Sequence, residues 1–217
     1  KKIKKQARNV RGIYYTPPNY LRMLMYLELS RPGGDVSRWE KVLKRLTLLN
    51  KHFPLKGKDC DFVEIQRMFD PTTKIPDSET SKLFTLTRDC LINQSVVFFG
   101  AMANKLFIRN LKKFKNYEME KIPDFDVLSK DPENTATVLK EYLEDNGIKG
   151  VKIKKKEGVG EVVAPHYSVS VYGEVVAFIY EPLACHSYNI ISLFDRSIKI
   201  ATIDTMLSFY LAFLYLN

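Results

Sequence analysis

Cysteine and histidine are scarce in this chain. There are three of each in 217 residues: Cys60, Cys90 and Cys185, and His52, His166 and His186. The cysteines lack the short spacing of a zinc site, and their odd number fits no disulfide framework, so reduced thiols in a cytosolic-type compartment are expected. Long apolar runs are also missing. The longest, Met206 to Leu216, falls short of the roughly 20 residues a membrane-spanning helix needs. Lys1 to Lys5 is basic but no apolar h-region follows it, so no secretory leader and no membrane partner are expected. There is no internal repeat. Acidic residues are outnumbered 25 to 34 by Lys and Arg, for a net charge of +9 and a pI of about 9.3. That excess favours an acidic partner such as nucleic acid or a membrane surface.

What is present suits a folded protein. A hydrophobic content of 45% with 12% aromatics fills a core, and 217 residues suffice for one large domain or two small ones. The sequence starts at Lys1 rather than Met, and it is expected to be a piece of a longer protein or its ordered part.

The first third reads as helical. Lys1 to Arg11 is expected to fray. Tyr14-Tyr15-Thr16-Pro17-Pro18-Asn19 starts a helix over Tyr20 to Ser30, with Leu21, Leu24, Met25 and Leu27 inward. Asp35 or Ser37 caps a second helix, Arg38 to Lys51, whose stripe is Trp39, Val42, Leu43, Leu46 and Leu49. Lys41, Lys44 and Arg45 on its other face form the kind of row that is usually solvated. Residues 55–76 are mixed and polar, with a short helical stretch at Phe62 to Phe69. A boundary falls between Asp70-Pro71 and Pro76, dividing a helical part, residues 1–75, from a lobe at 76–217.

The lobe alternates strands and helices. Ser78 or Thr80 caps a helix to about Ile92. Val96-Val97-Phe98-Phe99 reads as a buried strand stopped by Gly100. Ala101 to Phe114 is then helical, with Lys112, Lys113 and Lys115 at its end. Its first N–H groups point at the glycine turn, a ready place for phosphate. Next comes Ile122-Pro123-Asp124-Phe125-Asp126-Val127-Leu128-Ser129. In a strand, period two puts Asp124 and Asp126 on one face, only a few ångströms apart. Two like charges so close call for a partner, and a divalent cation is the obvious one. Two alternating acids by themselves more often mark a solvated face; the glycine turn upstream, together with the longer strings further along, reverses that. Asp131-Pro132 opens a helix over Thr135 to Asp145. Strands follow at Gly150 to Lys154, Val162 to Tyr172 and Glu174 to Tyr180, the last two forming a hairpin at Gly173. Lys152, Lys154, Lys155 and Lys156 lead into Gly158-Val159-Gly160, a mobile basic loop open to RNA backbone. Ile198 to Ala201 is a short strand, and Thr202 or Asp204 caps a closing apolar helix. The fold class is mixed α/β (α+β).

Longer strings carry a resemblance. Pro123-Asp124-Phe125-Asp126 is followed by Tyr180-Glu181-Pro182-Leu183-Ala184-Cys185-His186-Ser187-Tyr188-Asn189. Ile200-Ala201-Thr202-Ile203-Asp204-Thr205-Met206-Leu207 comes later, and Tyr14-Tyr15-Thr16-Pro17-Pro18-Asn19-Tyr20-Leu21-Arg22-Met23 and Ser37-Arg38-Trp39-Glu40-Lys41-Val42 lie upstream. Over most of its length the chain resembles the poly(A) polymerase catalytic subunit of large nucleocytoplasmic DNA viruses, of the polymerase-β-like nucleotidyltransferase superfamily. The order, helices first and lobe second, is similar to the C-terminal portion. The resemblance implies a polymerase-β-like lobe preceded by a helical part, and transfer of adenylate from ATP to an RNA 3′ end. It implies Mg²⁺ or Mn²⁺ held by Asp124 and Asp126, with the triphosphate at Gly100 and Ala101. The expected partners are the RNA 3′ end, ATP, and either a second copy or a second viral subunit, in the host-cell cytoplasm or the virion.

Two departures from the family pattern matter. The glycine turn is Gly100-Ala101 rather than Gly-Gly or Gly-Ser. The third carboxylate of the active fold, usually in a Val-Ala-Asp string, is replaced in Val176-Ala177-Phe178. Glu174 and Glu181 substitute poorly, being roughly 13 Å back along the strand and on the opposite face, respectively. Two readings therefore stand. In one, the parent protein is an adenylyltransferase; in the other, this lobe is an inactive nucleotidyltransferase-like module that binds RNA, buttresses another lobe or forms a dimer face. A small-molecule or tRNA nucleotidyltransferase is disfavoured by the longer strings.

Overall fold

The computed structural model describes residues 6–30, 35–55, 77–109, 124–160, 163–193 and 196–216. The expected frayed start, the helical stretch at Phe62 to Phe69, the boundary near Pro71 and the lysines at 112–115 lie wholly or partly outside the described residues. The chain divides into two compact units, one spanning Phe62–Met206 and the other Lys1–Asp61 with Leu207–Asn217.

In the second of these units the chain begins with an antiparallel ribbon, β1 (Arg8–Val10) and β2 (Ile13–Tyr15). Its Arg11-Gly12 turn has positive φ at both residues, and Asn9 accepts a hydrogen bond from the Gly12 N–H at 3.0 Å. This segment is a hairpin where fraying was expected. Helix α1 (Pro18–Ser30) and helix α2 (Trp39–His52) pack together. Asp35 accepts from the Ser37 N–H at 3.0 Å and caps the short 3-10 turn, Val36–Arg38, that leads into α2. The buried residues of α1 are Leu27 and, against expectation, Arg22. The Arg22 guanidinium donates to Asn19 Oδ1 at 2.5 Å, to Asn50 Oδ1 at 2.7 Å and to the Phe53 carbonyl, tying α1 to the end of α2. A buried cation is tolerated only when its donors are satisfied in this way. Of the expected α2 stripe only Val42 and Leu46 are buried, whereas Trp39 and Leu43 are exposed.

The larger unit is built on a seven-stranded mixed sheet. Its strands are β3 (Val97–Phe99), β4 (Phe125–Leu128), β5 (Val151–Lys156), β6 (His166–Val171), β7 (Glu174–Tyr180), β8 (Tyr188–Leu193) and β9 (Arg196–Ala201), in the order β5-β6-β7-β4-β3-β9-β8. The β7–β4 and β3–β9 pairs are parallel and the others antiparallel. Val97–Phe99 and Phe125–Leu128 are neighbouring strands, as their apolar runs imply. Strand β8 has no counterpart among the expected elements. The β6–β7 turn is Tyr172-Gly173, both at positive φ, the type I′ geometry that suits the twist of a two-residue hairpin.

Among the described residues, helices α3 (Asp77–Asn93), α4 (Gly100–Arg109) and α5 (Pro132–Asp145) belong to this unit, while most of α6 (Ile203–Leu216) belongs to the smaller one. Helix α5 starts three residues earlier than expected, with Pro132 in its first turn. Asp131 is its N-cap and accepts from the Asn134 N–H at 3.0 Å. Helices α3 and α5 pack on each other and on one face of the sheet. Phe84 of α3 stacks on Phe125 at 4.9 Å between centroids, and Tyr167 donates to Glu133 of α5 at 2.8 Å. Phe98, Phe125, Val127, Val169, Ala177 and Ile179 fill this face and are buried to within 1%.

Because side chains alternate along a strand, Phe125 and Val127 under the helices force Asp126 onto the other face. Removing the α5 cap should be measurable without touching that face. Asp131→Ala is expected to cost about 1 kcal/mol, read as a lowered denaturation midpoint with an unchanged far-UV spectrum.

Candidate functional site

The site is set by one line across the three central strands. Phe99 of β3 lies opposite Asp126 of β4, and Asp126 lies opposite Phe178 of β7. Asp124, one residue before β4, shares the alternation that puts Asp126 on this face. Both carboxylates are partly buried. Gly100 closes β3 and opens α4, with φ +63. A Cβ added there would overlap the Asp126 carboxylate, so this glycine is needed for close approach as well as for its backbone angle. Ala101, in the first turn of α4, is buried. The structure thus brings Gly100, Ala101 and Asp126 together, with Asp124 alongside. The anion closest to the glycine turn is the protein's own carboxylate, at a helix N-terminus where negative charge is favoured.

The position beside Asp126 is aromatic. The Phe178 ring is buried, with the Lys156 ammonium 4.9 Å from its centroid. His166 stacks on Tyr180 at 4.5 Å and 21°, and Phe99 meets Tyr180 edge-on at 5.4 Å. Among the described residues no three His, Cys, Asp or Glu side chains form a group placed to hold a metal ion. Glu181 follows β7, is exposed, and donates its backbone N–H to Pro165. Glu174 lies at the far end of β7, opposite Val171. Two carboxylates beside a phenyl ring, with an ammonium over that ring, do not fit a two-metal site.

Lys155 and Lys156, expected beyond the strand that holds Lys152 and Lys154, belong to the same strand. Lys152, Lys154 and Lys156 pair with Ser170, Ser168 and His166, and Lys155 with Tyr167. The strand runs on through Lys156 because β6 supplies partners as far as His166. The following turn is pinned by a bridge between Val159 and Val163. Period two then divides the set. Lys152, Lys154 and Lys156 share the Asp126 face, whereas Lys155 lies on the helix face, its ammonium 5.9 Å from the Tyr167 ring centroid. Lys152 and Lys154 are exposed.

His166 and Tyr180 were not singled out from sequence. Counting back from the Tyr172-Gly173 turn puts Tyr167 opposite Phe178. A register shift between Val169 and Ser170 brings Ser168 there instead, and so turns His166 onto the Asp126 face. A bulge of this kind leaves no local mark in the text.

The fold is a mixed α/β lobe with a seven-stranded sheet, and a glycine turn and two acids meet at its central strands. No family model matches the chain, and no curated protein does. Among solved structures the crystal structure of the Megavirus polyadenylate synthase is similar, with a TM-score of 0.66 and 18% identity over 96% of this chain. The chain spans 41% of the length of that protein. The likeness is one of fold.

Burial depresses the pKa of His166, helped by the nearby Lys156 ammonium and opposed by its hydrogen bond to the Ala164 carbonyl. Burial likewise depresses that of His186. The folded chain therefore binds protons less readily than the unfolded one. Their stability contribution is complete above the ordinary His pKa of about 6.5 and is lost as pH falls from there through the depressed folded values. Thermal melts should show Tm declining below that pH, with a shallower decline in His166→Gln.

Proposed function

We propose that the chain is part of a viral-type poly(A) polymerase, a protein that adds adenylate from ATP to RNA 3′ ends with Mg²⁺ or Mn²⁺. In this reading the lobe described here does not carry the catalysis. It serves as an RNA-binding and scaffolding module, and Asp124 and Asp126 remain as a polar strand face or a weak metal site. The observation that carries this is the register of Phe178 with Asp126. A ring there can neither bridge two metal ions nor take the proton of an attacking hydroxyl, and general-base help alone is typically worth ~10²–10⁴ in rate. The structural likeness to a polyadenylate synthase and the longer sequence strings support the polyadenylation reading. A second copy or a second viral subunit is the expected protein partner.

Primer extension tests this. The purified chain, given an RNA primer, ATP and Mg²⁺ or Mn²⁺, is expected to make no tail. In the longer protein proposed to contain it, Asp124→Ala should leave tail synthesis within about two-fold. Robust synthesis by the chain, abolished by Asp124→Ala, would overturn the reading and would point to Glu181 or Glu174 as the missing ligand.

The lysine row supports RNA as the partner. Each lysine that neutralises a phosphate of a single strand should contribute about 0.7 to the slope of log affinity against log salt. Charge reversal at Lys152 and Lys154 should flatten that slope by roughly this amount per residue. Lys155→Glu, on the other face, should change it less.

A further inference from the structure

The two edges of the seven-stranded sheet differ in chemistry. Strand β5 reads Val-Lys-Ile-Lys-Lys-Lys, and β8, the opposite edge, reads Tyr-Asn-Ile-Ile-Ser-Leu without a charge. On β8, Tyr188 is 44% exposed and Ile190 65%. Tyr188 and Ile190 are two residues apart and so share a face. Ile190 lies opposite Lys199 of β9, and the Lys199 ammonium is 5.4 Å from the Tyr188 ring centroid. Lys199 in turn lies beside Val97. Val97 is two residues from Phe99, the partner of Asp126, so Tyr188, Ile190 and Lys199 share a sheet face with Asp126, Lys152 and Lys154. Among the described residues of the β8–β9 hairpin, Arg196 and Lys199 are the charged ones, and both are positive.

A half-exposed tyrosine with a cation over its ring and an apolar neighbour two residues on has two possible uses. It can be ordinary edge packing, or it can offer a stacking surface beside a phosphate-binding charge. Ordinary packing would bury the ring and Ile190, and it does not. We infer that Tyr188, Ile190 and Lys199 form a base-stacking site for single-stranded RNA. An unpaired base would lie on the tyrosine and isoleucine, and Lys199 would meet the adjoining phosphate. Stacking platforms paired with basic side chains are how single strands are held without sequence readout. One sheet face would then meet the RNA backbone at one edge and a base at the other, about 29 Å away across six strand spacings. This rests on the reading of the chain as an RNA-handling module and adds where, and by what chemistry, a base is held.

The test is fluorescence anisotropy of the 217-residue chain with a labelled 12-mer of oligo(A) across a salt series, alongside an abasic oligomer of equal length. Tyr188→Ala should weaken oligo(A) binding by about five-fold or more with the salt slope unchanged. It should leave abasic binding within about two-fold. Tyr188→Phe should retain affinity, and thermal melts of each variant check folding. If Tyr188→Ala leaves oligo(A) affinity unchanged while Lys152→Glu and Lys154→Glu weaken it, the stacking site is wrong and the RNA reading survives. If the wild-type chain binds neither oligomer, both fail. A concentration-dependent dimer that is lost in Tyr188→Ala, with RNA affinity unchanged, would make this edge a protein interface and overturn the proposal.

Discussion

The line Phe99–Asp126–Phe178 across β3, β4 and β7 is the constraint on which the rest of the larger unit depends. Strand β4 is only four residues long, yet it joins an antiparallel neighbour to a parallel one. A slip of one residue would carry Asp126 beneath α3 and α5, where Phe125 and Val127 now lie, and an unpaired carboxylate in that layer would be costly. The Phe84–Phe125 stack on the helix side therefore fixes what the other face displays. Gly100 adds a second lock, since only a residue without a side chain lets the Asp126 carboxylate settle against the start of α4.

Given that line, the aromatic cluster follows as packing. With Phe178 beside Asp126, the adjoining space on β6 and β7 is filled by Tyr180 and His166, and the ring is roofed by Lys156. A cation over a ring contributes roughly 0.5–2 kcal/mol, depending on how far it is desolvated. This patch is held by dispersion and cation–π contacts within the chain.

Much of this was legible where local physics is decisive. The run Val96 to Phe99 with its glycine stop, the alternating acids, the Asp131-Pro132 helix start and the Gly173 hairpin all act within a few residues and mark their elements, with α5 beginning at Pro132 and β4 just after Asp124. What escaped depends on partners distant in sequence. Tyr188 to Leu193 lacks a clean alternation and becomes a strand because β9 pairs with it. Arg22 is polar by type and buried by its three acceptors on Asn19, Asn50 and Phe53. Lys155 and Lys156 look like loop residues until β6 is seen to extend to His166. Within the site, Gly100, Asp124, Asp126 and Phe178 were legible from spacing and resemblance. His166 was hidden by a one-residue register shift between β6 and β7, whereas Tyr180 shares the Phe178 face by simple alternation and carries no mark of its own.

The asymmetry of the sheet edges bears on how the lysine row should be understood. Lysines on an edge strand discourage unwanted pairing with another chain, and that role alone would account for a charged β5. It would also require charge on β8, which carries an equally open outer edge among the described residues and has none. Edge protection therefore does not explain the distribution. Like charges at alternate positions of one strand repel one another, and Lys152, Lys154 and Lys156 are all on one face with no acid opposite them on β6. Such a row costs stability in the free protein, and a polyanion laid along it would offset that cost. The phenyl ring at 178 and the lysines at 152 and 154 then belong to one account: a mixed sheet whose central carboxylates sit beside packed rings and whose β5 edge stays open and positively charged.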